Sequence, residues 1–204
     1  MINPRELFGD IDIYLFDQIL KGRFSSEMSV LDAGCGGGRN LVYFLRSGYE
    51  VFGIDNNLNA IENVRFAAKT LAPNLSPENF QVSKTENMPF PDEKFDAVIS
   101  SAVLHFAENE SHFFAMLEEM WRVLRPEGIF FARLASSIGI EERIKLITER
   151  RYLLPDGSER FLADETFLTS ATRQLGGSWL EPLKTTNVQN LRCMSTWVLR
   201  KNSA

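Results

Sequence analysis

The chain has 204 residues, 44% of them hydrophobic and 24% charged, and a net charge of -5. That length suits one domain able to bury roughly 70% of the surface its unfolded form exposes, and the composition points away from disordered and membrane-spanning classes. A phosphate backbone is repelled by the acidic average field, which argues against a nucleic-acid partner. The two cysteines, Cys35 and Cys193, carry no CxxC spacing; they suggest no metal site and fit a reducing cytoplasm.

In chain order, residues 1–27 read as an N-terminal helical cap with a helix around Tyr14, without the basic flank and apolar core of a signal peptide. Short β-rich runs follow at 29–32, 50–54, 79–83, 95–100 and 128–134, and helical-period segments at 40–47, 58–71 and 113–124 lie between most of them. This alternation is a βαβ series and predicts an α/β core over 28–135, with Arg125-Pro126-Glu127-Gly128 turning the chain into the fifth strand. The pattern loosens over 136–163, an insertion in which Asp156-Gly157 predicts a β-hairpin. Its basic cluster, Arg143, Lys145, Arg150 and Arg151, is interrupted by Glu141, Glu142 and Glu149 and reads as a solvated helix face. The closing segment, 164–204, predicts a helix over 164–175 capped by Asp164, then an antiparallel pair of strands around 179–186 and 192–200.

The strongest motif is Val30-Leu31-Asp32-Ala33-Gly34-Cys35-Gly36-Gly37-Gly38-Arg39-Asn40, lying between an apolar strand and a helix. Gly34 and Gly36 permit a tight turn and close approach of a ligand, and free N–H groups at a helix start are expected to point into the same space. A dinucleotide fingerprint needs its third glycine at position 39, where Arg39 stands. About 20 residues further on, Asp55 ends the second strand, where a carboxylate can accept ribose hydroxyls; the bland alternative is a cap for the helix at 58–71.

The D-x-G-x-G-x-G spacing resembles motif I of the class I methyltransferases that use S-adenosylmethionine (SAM), and Thr85–Ile99 resembles that family's link from the third strand to the fourth. The resemblance covers about residues 28–135. It implies a Rossmann-like three-layer sandwich, a seven-stranded, mostly parallel sheet with its last strand antiparallel, and methyl transfer from SAM to a small molecule by in-line displacement, leaving S-adenosylhomocysteine. It places the cofactor among Asp32, Gly34, Cys35, Gly36, Arg39, Asn40, Asp55, Asn56, Thr85, Glu86, Asn87, Ser100, Ser101 and His105. Lys84 stands where relatives commonly carry the acidic adenine contact, so Thr85 and Glu86 are the substitutes. His105 is also the candidate general base, with packing beside the cofactor as the alternative, and His112 is expected on the surface.

A narrower likeness, carried by Gly34–Asn40 and Leu191–Lys201, is to the tellurite-resistance and related small-molecule group. By that analogy Arg133 and Arg192 face the acceptor and hold an anionic group, or else pair with surface carboxylates, and residues 139–163 with the N-terminal helix form a lid. The expected state is a monomer or homodimer. The rival readings are a protein that binds SAM without catalysis, a nicotinamide oxidoreductase, against which Arg39 counts, and a protein or nucleic-acid methyltransferase.

Overall fold

A computed structural model describes residues 3–203; positions 1, 2 and 204, the outermost ends of the 1–27 cap and the 164–204 segment, lie outside the described residues. Five parallel strands form the centre: β1 (Ser29–Ala33), β2 (Glu50–Asp55), β3 (Phe80–Val82), β4 (Phe95–Ser101) and β5 (Leu124–Ser136). Helices α1 (Pro4–Phe8) and α2 (Ile13–Leu20) precede them, α3 (Val42–Arg46) follows β1, α4 (Leu58–Leu71) follows β2, and α5 (Glu110–Val123) leads into β5. Beyond the core come β6 (Lys145–Thr148), β7 (Arg151–Leu153), β8 (Glu159–Phe161), α6 (Glu165–Gln174), β9 (Gly177–Trp179), β10 (Lys184–Val188) and β11 (Arg192–Lys201). The main sheet runs β10-β11-β5-β4-β1-β2-β3, and β9 pairs with β11 beyond the end of β10. β11 lies antiparallel to β5, as the family resemblance implied.

Side chains alternate across each strand, and that alternation builds the three layers. Val30, Val51, Ala97, Ile99, Phe131 and Val198 pack with Leu15 of α2, Phe44 of α3 and Ile61 and Val64 of α4. Their neighbours Leu31, Phe52, Val98, Phe130 and Trp197 pack instead with Phe113, Leu117 and Met120 of α5 and Leu168 and Ala171 of α6. Both faces of the central strands are therefore dry, which is why they read as near-continuous apolar runs. Among the described residues no helix is long and apolar enough to cross a membrane.

Several elements differ from the sequence reading. The helix expected over 40–47 is the single short turn α3, because residues 36–41 are spent on the glycine loop. The Arg125–Gly128 turn becomes a bulge inside β5: Phe95 pairs with Leu124 and Ala97 with Ile129, with Glu127 at φ 63°. The strand expected over 179–186 is split into β9 and β10 around Pro182, which has no N–H to give the ladder.

The basic cluster is not a helix face. β6, β7 and β8 form a separate antiparallel sheet; Lys145 and Arg151 sit on its strands, and Arg143 ends a short 3-10 turn. Arg150 is bound to Glu110 at 2.9 Å and Asp164 at 2.8 Å, tying this sheet to α5 and α6. Asp156-Gly157 turns β7 into β8, with Gly157 at φ 81°. At the base of the hairpin the Phe161 ring stacks on Phe113, centroids 5.0 Å apart, and meets Phe167 at a tilt of 56°. Phe161→Ala empties that fully buried site and is expected to cost about 3–5 kcal/mol, read as a lower urea midpoint at an unchanged slope.

Candidate functional site

The chain leaves β1 through three glycines in left-handed backbone, Gly34 at φ 88°, Gly36 at 52° and Gly38 at 81°. Close approach also requires two of them: a Cβ at Gly34 would lie 2.5 Å from Val103 beyond β4, and one at Gly38 would lie 2.6 Å from Val64 of α4. The loop amides are largely spent within the protein. Gly34 and Cys35 both donate to the Ile54 carbonyl at 2.8 Å, Gly38 donates to the Cys35 carbonyl at 3.0 Å, and Gly36 donates to Asp55 Oδ2 at 2.9 Å. The expected row of free amides over 34–38 is therefore corrected: the loop is fastened to β2 and presents its surface to the cleft.

Asp55 sits at the hub of that arrangement. Its Oδ1 accepts the Asn57 N–H at 2.9 Å while Oδ2 holds Gly36, and Asn57, not Asp55, caps α4. Each oxygen keeps a second lone pair toward the open side. Here a cleft of about 580 Å³ opens at the C-terminal edge of the sheet, with Gly34, Gly36, Asp55, Asn56, Thr85 and Glu86 on its wall. Ala102, Val103, Phe106, His112 and Met116 close the other side. His112, expected on the surface, instead faces Glu86, Nε2 to Oε2 3.7 Å. Burial opposes the charge on Glu86, yet its own backbone N–H, His112 and Lys84 hold its carboxyl below the usual range.

The remaining expected cofactor contacts lie off this cleft. Asp32 is sealed beneath the loop, both carboxylate oxygens buried and without a hydrogen-bond partner. Burial pushes its carboxyl up to about 7, opposed by Arg39 and reinforced by Asp55. Cys35 turns its thiol toward Gly53, and burial pushes that thiol up, leaving an inert packing group. Asn87 closes a turn by donating to the Lys84 carbonyl at 3.3 Å, and the Ser100 hydroxyl is buried and unpaired.

Asp12, which the sequence reading passed over, gathers the others. Its Oδ1 caps α2 at the Tyr14 N–H, and its Oδ2 meets Arg133 at 3.0 Å, Ser101 at 3.2 Å and Arg39 at 3.8 Å. Asn40 accepts the Asp12 N–H at 3.0 Å. An Asp just before an apolar helix signals a cap in sequence; its partners 27 to 121 residues away do not show there.

A second cavity, of about 240 Å³, lies across Ala102 and brings together His105, Arg133 and Arg192 with Asp156, Ser158 and Arg160 of the hairpin. His105 Nδ1 accepts the Ala135 N–H at 3.2 Å, which leaves the proton on Nε2. Burial first, then Arg160 and Arg133, push the imidazole down to about 4. A neutral ring whose basic nitrogen is already occupied is a hydrogen-bond donor, so the geometry argues against the general-base role.

A family model described as a methyltransferase domain matches residues 31–132, half of the chain. The chain is 35% identical over 124 residues to an uncharacterized methyltransferase of Bacillus subtilis, covering 59% of this chain and 46% of that one. To a thiol S-methyltransferase of Rattus norvegicus it is 36% identical over 122 residues, covering 57% and 47%. It thus spans about half the length of these relatives. Among solved structures, a SAM-dependent methyltransferase of Methanosarcina mazei superposes with a TM-score of 0.76 at 20% identity, covering 91% of this chain and 98% of that one. The 1,6-didemethyltoxoflavin-N1-methyltransferase of Burkholderia thailandensis, solved with bound 1,6-didemethyltoxoflavin and S-adenosylhomocysteine, gives 0.70 at 20% identity, covering 91% and 76%. The glycine loop fastened to β2, the sheet order and the family match converge: the chain belongs to the methyltransferase-domain family, within the class I SAM-dependent superfamily.

Proposed function

We propose that the chain transfers a methyl group from SAM to a small-molecule acceptor, with the cofactor in the larger cleft and the acceptor in the smaller cavity. The observation that carries this reading is the shared wall: Ala102 lines both spaces, so ligands seated in them meet across one residue. SAM, when bound, supplies a methyl group already activated by a sulfonium. The residues present fit such a ligand: Asp55, with a free lone pair on each oxygen, and Glu86 stand on the cleft wall, and Asp32 lies buried beneath the loop without a hydrogen-bond partner.

The protein's own tasks follow from the geometry. Asp55 offers its free lone pairs to vicinal hydroxyls, Glu86 and the turn at Thr85 offer polar contacts for a base, and Asp32 supplies negative potential from beneath the loop. Val103, Phe106 and Met116 give the cleft apolar walls that exclude water. His105 donates a hydrogen bond and abstracts no proton, so rate enhancement rests on alignment of the two ligands. Thiols are the first acceptors to examine, given the 36% identity to a thiol S-methyltransferase.

The direct test is formation of S-adenosylhomocysteine from SAM across a panel of thiols, amines, phenols and oxyanions. Calorimetric binding of NAD in preference to SAM would overturn the reading. Asp55→Ala is expected to weaken SAM binding by about 1–3 kcal/mol; unchanged affinity would remove that carboxylate from the seat.

Asp32 yields a second expectation with opposite signs for stability and binding. Its carboxyl in the folded chain lies at about 7, above its ordinary 3.8, so its contribution to stability is full below that lower value and is lost as pH rises through 7. Asp32→Asn should therefore raise the melting temperature at pH 8, by roughly 2–4 °C per kcal/mol recovered, and the gain should vanish toward pH 4. The same variant should bind SAM more weakly, and wild-type affinity should fall as pH drops below 7. A variant that melts lower at pH 8 would show that Asp32 is already paired in the free protein.

A further inference from the structure

We propose that the methyl acceptor is a small organic anion and that Arg160, on the hairpin, selects for its charge together with Arg133 and Arg192. This rests on the assignment of the smaller cavity as the acceptor site. The lining carries three guanidinium groups against a single carboxylate, Asp156, in a chain whose net charge is -5. So local a reversal of the average field marks a place where negative charge is received.

The three arginines are incompletely paired. Arg160 has no carboxylate within 4.0 Å among the described residues; it holds the Glu159 carbonyl at 2.7 Å and lies 5.0 Å over the Phe106 ring. Arg133 gives one amino group to Asp12 at 3.0 Å, but its Nε–H is buried without an acceptor. Arg192 is 57% exposed at its side chain and reaches Asp156 only at 3.9 Å. Asp156 is itself engaged by Ser158, whose hydroxyl donates to it at 2.6 Å.

The uncharged groups complete the same pattern. His105 has its Nδ1 filled by the Ala135 N–H, so its remaining polar atom, Nε2–H, is another donor. The cavity thus offers an excess of N–H donors, and a ligand that satisfies them must bring acceptor oxygens or a negative charge. Arg160 matters most for selectivity because it is the guanidinium with no protein carboxylate to return to when the site is empty. It also stands on the inserted hairpin, where specificity is added to a shared core.

The probes are benzoate and benzyl alcohol, matched in shape and differing in charge, titrated by calorimetry into protein saturated with S-adenosylhomocysteine. Benzoate is expected to bind at least tenfold more tightly than benzyl alcohol, and the ratio should shrink as salt is raised. Arg160→Gln should cut the ratio to less than threefold, with S-adenosylhomocysteine affinity and melting temperature unchanged, and Arg160→Lys should restore part of it. Equal binding of the two probes, no binding of benzoate, or a ratio indifferent to Arg160→Gln overturns the proposal. A failure of S-adenosylhomocysteine to bind in the preceding titration would instead bring down the cofactor seat, so the two failures are read separately.

Discussion

The Ile54 carbonyl is the point on which the site depends. It takes the N–H groups of both Gly34 and Cys35 at 2.8 Å, and one residue later Asp55 takes Gly36, so three successive amides of the loop are bound to the end of β2. This fixes the loop against the neighbouring strand and sets the position of Asp55 in the same stroke. It also has a chemical consequence. A loop built to cradle a pyrophosphate needs its amides free to point at the anion. Here most of them are consumed, a carboxylate lies beneath, and the surface offered suits a cationic nucleoside better than a dinucleotide.

Around that point, alternation along the strands separates support from chemistry. The side chains of the central strands are given over to two dry cores, and the residues that line the cavities stand at the strand ends or just past them: Asp55 at the end of β2, Glu86 after β3, Ala102 after β4, Arg133 near the end of β5. Two additions finish the site from opposite sides. The N-terminal segment enters through Asp12, which ties α2 to Arg133, Ser101 and Arg39. The hairpin enters through Phe161, whose ring is buried against α5 while the preceding residue, Arg160, faces the cavity.

Legibility in the sequence follows the range of the interaction. β1, β2 and α4 are set by local period, and the glycine spacing by local backbone geometry, so all were readable. Whether Asp55 caps a helix or holds a loop could not be read, since its Gly36 partner lies in the loop that follows a different strand, β1. The segment 143–151 misled because interspersed Glu and Arg look like a helix face, whereas Leu146 pairs with Tyr152 and Thr148 with Arg151 in an antiparallel sheet. Asp12 and Arg160 were invisible for a related reason: each looks like an ordinary surface charge until contacts distant in sequence assemble around it. His105 was readable as a residue of the site, but its protonation was not, because that depends on the Ala135 N–H in another strand.

Ala102 shows how the two cavities are held in relation to each other. It is a non-glycine residue at φ 64°, a conformation that costs an alanine roughly 1–2 kcal/mol. Its N–H donates to the Arg133 carbonyl at 2.7 Å, continuing the pairing of β4 with β5 past the end of the ladder. The same bond therefore sets the wall between the cavities and the backbone of the arginine that faces the smaller one. Glycine would relieve the strain but remove the Cβ from that wall; a larger side chain would intrude on both spaces. An alanine held in an unfavourable conformation by a strong backbone bond keeps the partition thin, as the proposed transfer between adjacent ligands requires, and links its position to Arg133 on the wall of the smaller cavity.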